Sequence, residues 1–140
     1  MSEEVSVTLR LAEGMHFIGE DRAGRTIDLD SPGEGAGVAP SPMAAVLMTL
    51  AGCSGMDVVS IMRKKRQDLR GLEVIATGTR RDEYPRVYTA IRLDYRFTGS
   101  GLDPAACQRA IELSRDRYCP VWAMLRPTVD ISYTFTINEP

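Results

Sequence analysis

Val5, Val7, Leu9 and Leu11 fall on one parity along the chain, and Ser6, Thr8 and Arg10 on the other. A period of two marks a half-buried strand with one apolar and one wetted face. "EGMHFIGED" reads as a turn and a second strand, and "DRAG" (21–24) as the turn before a third, "RTIDLD". The chain therefore opens as an antiparallel meander. The glycine- and proline-rich loop "SPGEGAGVAPSP" (31–42) ends in a helix start, with Ser41 as N-cap and Pro42 at the first helical position. From Met43 to Cys53 apolar residues occupy nearly every side, and the run closes at "RKKR" (63–66), whose cations suit a helix C-terminus. The pattern predicts a helix to about Arg66 that starts buried in the core and emerges into water.

The second half is read the same way. "LEVIATGTRR" and the run from Arg86 to Phe97 predict a hairpin turning at "DEYP". Val87, Thr89, Ile91, Leu93, Tyr95 and Phe97 form its core face, with Arg86, Tyr88, Ala90, Arg92, Asp94 and Arg96 opposite. "GLDPAACQRAIELSRDRYC" predicts a helix capped by Asp103, with Cys107, Ala110, Ile111 and Ser114 inward, and "CPVWAML" a short helix with Pro120 in its first turn. Val129, Ile131, Tyr133, Phe135 and Ile137 alternate into a closing strand. No internal repeat interrupts this order, so residues 1–140 read as a single α+β domain.

Composition narrows the function classes. A chain of 140 residues, 44% hydrophobic and 26% charged, is long enough for one ordinary core. A net charge of −2 and a pI near 5.4 supply no basic field for a nucleic acid. The most apolar stretch, Met43–Cys53, is too short to span a bilayer, and the acidic start "MSEEVSV" does not have the charge pattern of a signal peptide. The expectation is a cytoplasmic protein with no nucleic-acid or membrane partner. In that reducing compartment Cys53, Cys107 and Cys119 would hold no standing disulfide, while a transient redox pair stays open. Without a CxxC, and with His16 the single histidine, no zinc site and no cofactor are expected.

The stretch "LAGCSGMDVVS" (50–60) places a thiol between two helix-weakening glycines. Gly52 and Gly55 clear space around Cys53, for close packing or for an approaching substrate. Cys53 reads as either a small buried hydrophobe or a reactive thiol. Asp57, one turn later, would raise the thiol's pKa if bare, so it is expected to pair with an arginine or cap a backbone group. Cys119 precedes a proline at a helix start, where free N–H groups and the dipole favour a thiolate. It reads with equal weight as the more reactive sulfur or as a plain N-cap-like residue. Cys107 reads as core.

"SPMAAVLMTLAGCSGMDVVSIMRK" together with "YCPVWAML" resembles the OsmC/Ohr family of osmotically inducible and organic-hydroperoxide-resistance proteins, and within it the OsmC-like branch. The resemblance covers nearly the whole chain. It implies antiparallel sheets around a long central helix, in an intertwined homodimer with two sites at the subunit interface. It implies a peroxidatic Cys53 and a resolving Cys119, an organic hydroperoxide as substrate and an external dithiol as reductant. Cys53 would become a sulfenic acid, and Cys119 would close it to a disulfide. One position departs from the pattern. Members commonly carry Glu in the first turn of the long helix, as in "PMELLLAAL", whereas this chain has Ala44 in "PMAAVLMTL". That carboxylate works with an arginine that polarises the peroxide. Arg22 and Arg25 are the candidates from the N-terminal part, and each also reads as a solvated turn residue. Glu34 is the loop acid that could stand in for the missing carboxylate. The departure favours an alternative, a non-enzymatic dimer holding a hydrophobic ligand. Met43, Met48, Met56 and Met124 would be its adaptable lining, and the cysteines at most a redox switch.

Overall fold

Three strands, β1 (Thr8–Glu13), β2 (His16–Glu20) and β3 (Thr26–Leu29), form the expected antiparallel meander in order. In this computed structural model, which describes residues 2–140, they belong to a first compact unit ending at Val46. The register sets Leu9 against Gly19, Leu11 against Phe17, and Phe17 against Leu29. Leu9, Leu11, Phe17, Ile27 and Leu29 therefore share one face. Its burial differs from the expectation. Every residue of β1 is exposed, with Leu9 at 47% and Leu11 at 59%, so the apolar face is formed but left open. After β3 the buried Asp30 carboxylate organises the glycine-rich loop by accepting from the N–H groups of Ser31 (2.8 Å) and Val38 (3.1 Å).

Helix α1 (Pro42–Lys64) starts where the capping pattern places it, with Ser41 Oγ accepting from the Ala44 N–H at 3.1 Å. It stops two residues short of Arg66. Arg66 takes a left-handed φ of 57°, and N–H groups of Arg66 and Gln67 return to the carbonyls of Arg63 and Met62. That pair of bonds is a Schellman stop. Leu50, Ser54, Gly55, Val58 and Met62 are its buried stripe. Within the single chain the rest of the helix is not covered, and Met48 and Met56 stand 56% and 75% exposed. By length and composition alone α1 could cross a membrane. One stripe of it packs within the chain, with Gly55 near Val74 and Ser54 hydrogen-bonded to Tyr95.

The second unit, Leu47–Pro140, contains the remaining elements. β4 (Asp68–Arg80) and β5 (Tyr88–Ser100) are the predicted hairpin, and β5 is the central strand of the order β4-β5-β6. Ile91, Leu93, Tyr95 and Phe97 are nearly or fully buried, as their alternation requires. The alternation fails at the start of the strand. A register irregularity between Thr79 and Arg80 turns Tyr88 inward and leaves Val87 45% exposed. Tyr88 lies over Gly78, where a Cβ would come within 2.5 Å of its ring. α2 (Pro104–Leu113) is capped by the Asp103 carboxylate on the Ala105 N–H. It buries Cys107, Ala110 and Ile111, and Ser114 beyond it is buried too. The predicted single helix does not stay α. Residues Ser114–Tyr118 widen into a π turn before α3 (Pro120–Leu125). β6 (Asp130–Asn138) then joins β5 in parallel, from Ala90↔Asp130 to Thr98↔Asn138. The expectation of antiparallel sheets therefore holds for the meander and the hairpin but not for this pair. A parallel neighbour needs a long crossover, and α2, the π turn and α3 supply it.

Candidate active site

Cys53 sits mid-helix on α1 and is partly exposed, whereas Cys119 is 2% exposed. Cys53 lies near enough to Cys119 to bear on the ionisation of its thiol. The π turn delivers Cys119 to this place. Its extra residue changes the phase of the chain after α2, and the Cys119 N–H closes the turn on the Ser114 carbonyl at 2.9 Å. Cys119 then caps α3, with Sγ accepting from the Trp122 N–H at 3.4 Å. Trp122 itself is 1% exposed.

The N-cap position of Cys119 is thus as expected, and burial opposes the thiolate that this position could favour. Burial pushes the Cys119 thiol up to about 11, against a smaller lowering by the Trp122 N–H. The N–H groups of Trp122 and Val121 at the start of this short helix lower it, and removal from water costs the thiolate more. Burial thus favours the protonated thiol, and of the two readings open for Cys119 this direction supports the plain N-cap-like residue. Cys107 is fully buried, and burial likewise raises it to about 11.

Among the described residues Asp57 pairs with a side-chain hydroxyl, not with the expected arginine or backbone group. Its carboxylate accepts from Ser114 Oγ at 2.9 Å. Ser114 Oγ lies 2.8 Å from Ser54 Oγ, which lies 2.6 Å from the Tyr95 hydroxyl. Ser54, Ser114 and Tyr95 are all 0% exposed. An ionised carboxylate only accepts, so each hydroxyl donates toward Asp57 and Tyr95 donates to Ser54. Burial, helped by the nearby Cys119 and Asp57, holds the Tyr95 phenol well above its usual range. Tyr133 packs edge-on to Tyr95 with centroids 6.4 Å apart. Sequence reasoning placed Ser114 inward but assigned no role to Ser54, Ser114 or Tyr95. The available signal was a serine directly after Cys53 in an apolar run.

The other candidates lie in the first unit. Arg22 Nε donates to Ser6 Oγ at 3.0 Å, and Arg25 bridges Asp21 at 2.8 Å, so both are held within or near their own turn. Glu34 is exposed in the loop. Among the described residues no group of three or more His, Cys, Asp or Glu could hold a metal ion.

The two glycines beside Cys53 are not required by packing inside this chain. A Cβ on Gly52 would meet open space, and one on Gly55 would make only ordinary contact with Val74 at 3.6 Å. Both line an open groove with Ala51, Met56, Leu72 and Val74. Close packing within the chain therefore does not explain Gly52.

A long helix carrying one thiol, and a second thiol brought to it on a helix cap, sit in an α+β fold that defines a known class. The OsmC-like protein family model matches residues 33–134, and the chain belongs to that family. Protein YhfA of Escherichia coli (strain K12) is 43% identical over 129 residues, covering 92% of this chain and 95% of its own. A hypothetical protein from Aquifex aeolicus VF5 has a solved structure with a TM-score of 0.88 at 28% identity, over 99% of both chains. The organic hydroperoxide resistance protein OhrB of Bacillus subtilis shares the fold at a TM-score of 0.65 and 17% identity, over 96% of this chain and 98% of its own.

Proposed function

We propose that this protein reduces organic hydroperoxides with its paired thiols, acting as a homodimer in a reducing cytoplasm. The observation that carries this reading is the proximity of Cys53 to Cys119 across 66 positions of sequence. Family membership supports the class of chemistry, and the partial exposure of Cys53 suits it to meet a substrate. The Cys53 thiolate attacks the outer oxygen of ROOH. The O–O bond breaks, the alkoxide takes a proton and leaves as an alcohol, and Cys53 is oxidised to the sulfenic acid. Cys119 sulfur then attacks Cys53 sulfur. The S–O bond breaks, water leaves with the Cys119 proton, and a disulfide remains for an external dithiol to reduce. A partner subunit would cover the open face of the meander and the groove beside Gly52, both of which expose apolar side chains.

The binder reading is favoured by two observations. Ala44 leaves the first turn of α1 without a carboxylate, and the first unit has an apolar cavity of about 390 Å³ lined by Leu9, Met15, Phe17 and Leu29. Turnover of cumene hydroperoxide with dithiothreitol separates the two. Consumption of peroxide in proportion to enzyme, abolished by Cys53→Ser, supports the reductase. Consumption no faster than with dithiothreitol alone supports the binder.

A further inference from the structure

A largely buried polar chain runs Tyr95–Ser54–Ser114–Asp57, and the peroxide chemistry proposed above uses none of it. Three of its members are fully buried, and no buried side-chain oxygen or nitrogen among the described residues lacks a partner. Hydroxyl groups at such depth are costly unless satisfied, so an apolar core would serve stability as well. Their placement is specific. Ser54 follows Cys53 on α1, and the Ser114 carbonyl holds the Cys119 N–H. The 2.8 Å bond between the two serines thus ties the helix bearing one thiol to the turn bearing the other.

The rest of the turn is braced from outside. Arg115 forms two bonds to Asp116 (2.7 and 2.9 Å) and lies over the Tyr133 ring at 5.9 Å. Tyr133 packs on Tyr95, and Arg126 reaches the Arg115 carbonyl at 3.2 Å. These outer contacts are exposed and weak singly. The inner bonds, shielded from water, are the stronger constraint. Asp57 sets their direction and lines an opening with Ser60, Lys64, Lys65 and Tyr118.

We propose that Ser54, Ser114, Asp57 and Tyr95 are positioning residues that hold Cys119 against Cys53, and so decide whether an oxidised Cys53 closes to a disulfide or is oxidised further. The proposal rests on the peroxide chemistry for its consequence but not for its geometry. Two fates compete for the Cys53 sulfenic acid. In closure the S–S bond forms and water departs with the Cys119 proton. In over-oxidation the sulfenate attacks a second ROOH, whose O–O bond breaks, giving a sulfinate and ROH. Loosening the serine tie slows only the first.

The test uses the full-length protein in two arms. In glutathione redox buffers, the effective concentration of Cys119 toward Cys53 is read from the disulfide fraction. Ser114→Ala and Asp57→Ala should each lower it by about tenfold, the scale of one buried hydrogen bond. Asp57→Asn, which keeps an acceptor oxygen for Ser114, should stay near wild type. Asp57 is only partly buried, so its substitution disturbs the core less than Ser114→Ala, and circular dichroism checks that each variant has folded. In the second arm, three equivalents of cumene hydroperoxide should give mainly disulfide in wild type and added Cys53 sulfinic acid in Asp57→Ala. Wild-type disulfide fractions in both alanine variants would overturn the proposal, as would equal losses in Asp57→Asn and Asp57→Ala. If peroxide leaves wild-type Cys53 unoxidised while the glutathione arm shows the loss, positioning stands and the hydroperoxide reading fails.

Discussion

The raised pKa of Cys119 makes a quantitative demand on the resolving step. The attacking species is the thiolate, and burial holds the thiol near 11. At pH 7, four units below that value, about one Cys119 in ten thousand is ionised, and the fraction grows tenfold per pH unit. Closure of the Cys53 sulfenic acid should therefore speed up about a hundredfold between pH 7 and pH 9. The assay is single-turnover. One equivalent of cumene hydroperoxide is added, remaining sulfenic acid is trapped with dimedone at successive times, and disulfide is counted by mass spectrometry. The upper limit of pH comes from the same shift. The folded thiol keeps its proton to a higher pH than an unfolded one near 9.0, so its stabilising contribution is complete below 9.0 and is lost as pH rises toward 11. Measurements below pH 9 avoid that loss. A closure rate that is flat from pH 7 to pH 9 would refute the reasoning, because Cys119 would then attack without prior ionisation.

Three further outcomes follow from the geometry. Cys119→Ser should permit one oxidation of Cys53 and stop there, leaving a dimedone-reactive sulfenic acid detectable by mass; an unoxidised Cys53 in that variant would mean the roles are misassigned. Ala44→Glu places a carboxylate beside the Ser41 cap, where a capping box and the helix dipole both favour it. If the site is a peroxidase lacking this group, second-order oxidation should rise about tenfold to a hundredfold, the scale of one charged hydrogen bond; an unchanged rate with a lower melting temperature points to the binder. Gly52→Ala should gain about 1 kcal/mol of helix propensity in a chain with space for the methyl group. If a partner subunit packs against this open glycine, the variant should nevertheless weaken self-association in sedimentation; unchanged association would show that nothing packs there.

The elements that could be read from sequence were those in which one face pays a clear hydrophobic penalty for exposure. Ile91, Leu93, Tyr95 and Phe97 announce β5 because a one-residue slip would expose all four. Asp103 and Ser41 announce helix starts because few residue types satisfy the free N–H groups there. The parallel pairing of β6 was not legible, since alternation of Ile131, Tyr133 and Phe135 is the same in either direction. The openness of β1 was hidden for a related reason: period two reports an apolar face, not what covers it. At the site, the cysteines could be singled out from residue type and context, but the charge state of Cys119 could not. Its cap geometry is local, whereas the burial that overrides it comes from the folded surroundings. The Ser54–Ser114 bond joins positions 60 apart, and a serine alone carries no mark of its partner.

The central claim is that Cys53 and Cys119 form one redox couple and Cys107 stands outside it. Non-reducing peptide mapping after one equivalent of an alkyl hydroperoxide addresses it directly. The account predicts a single Cys53–Cys119 linked peptide, with Cys107 recovered as the free thiol. Recovery of all three cysteines reduced, or a disulfide that includes Cys107, would contradict it.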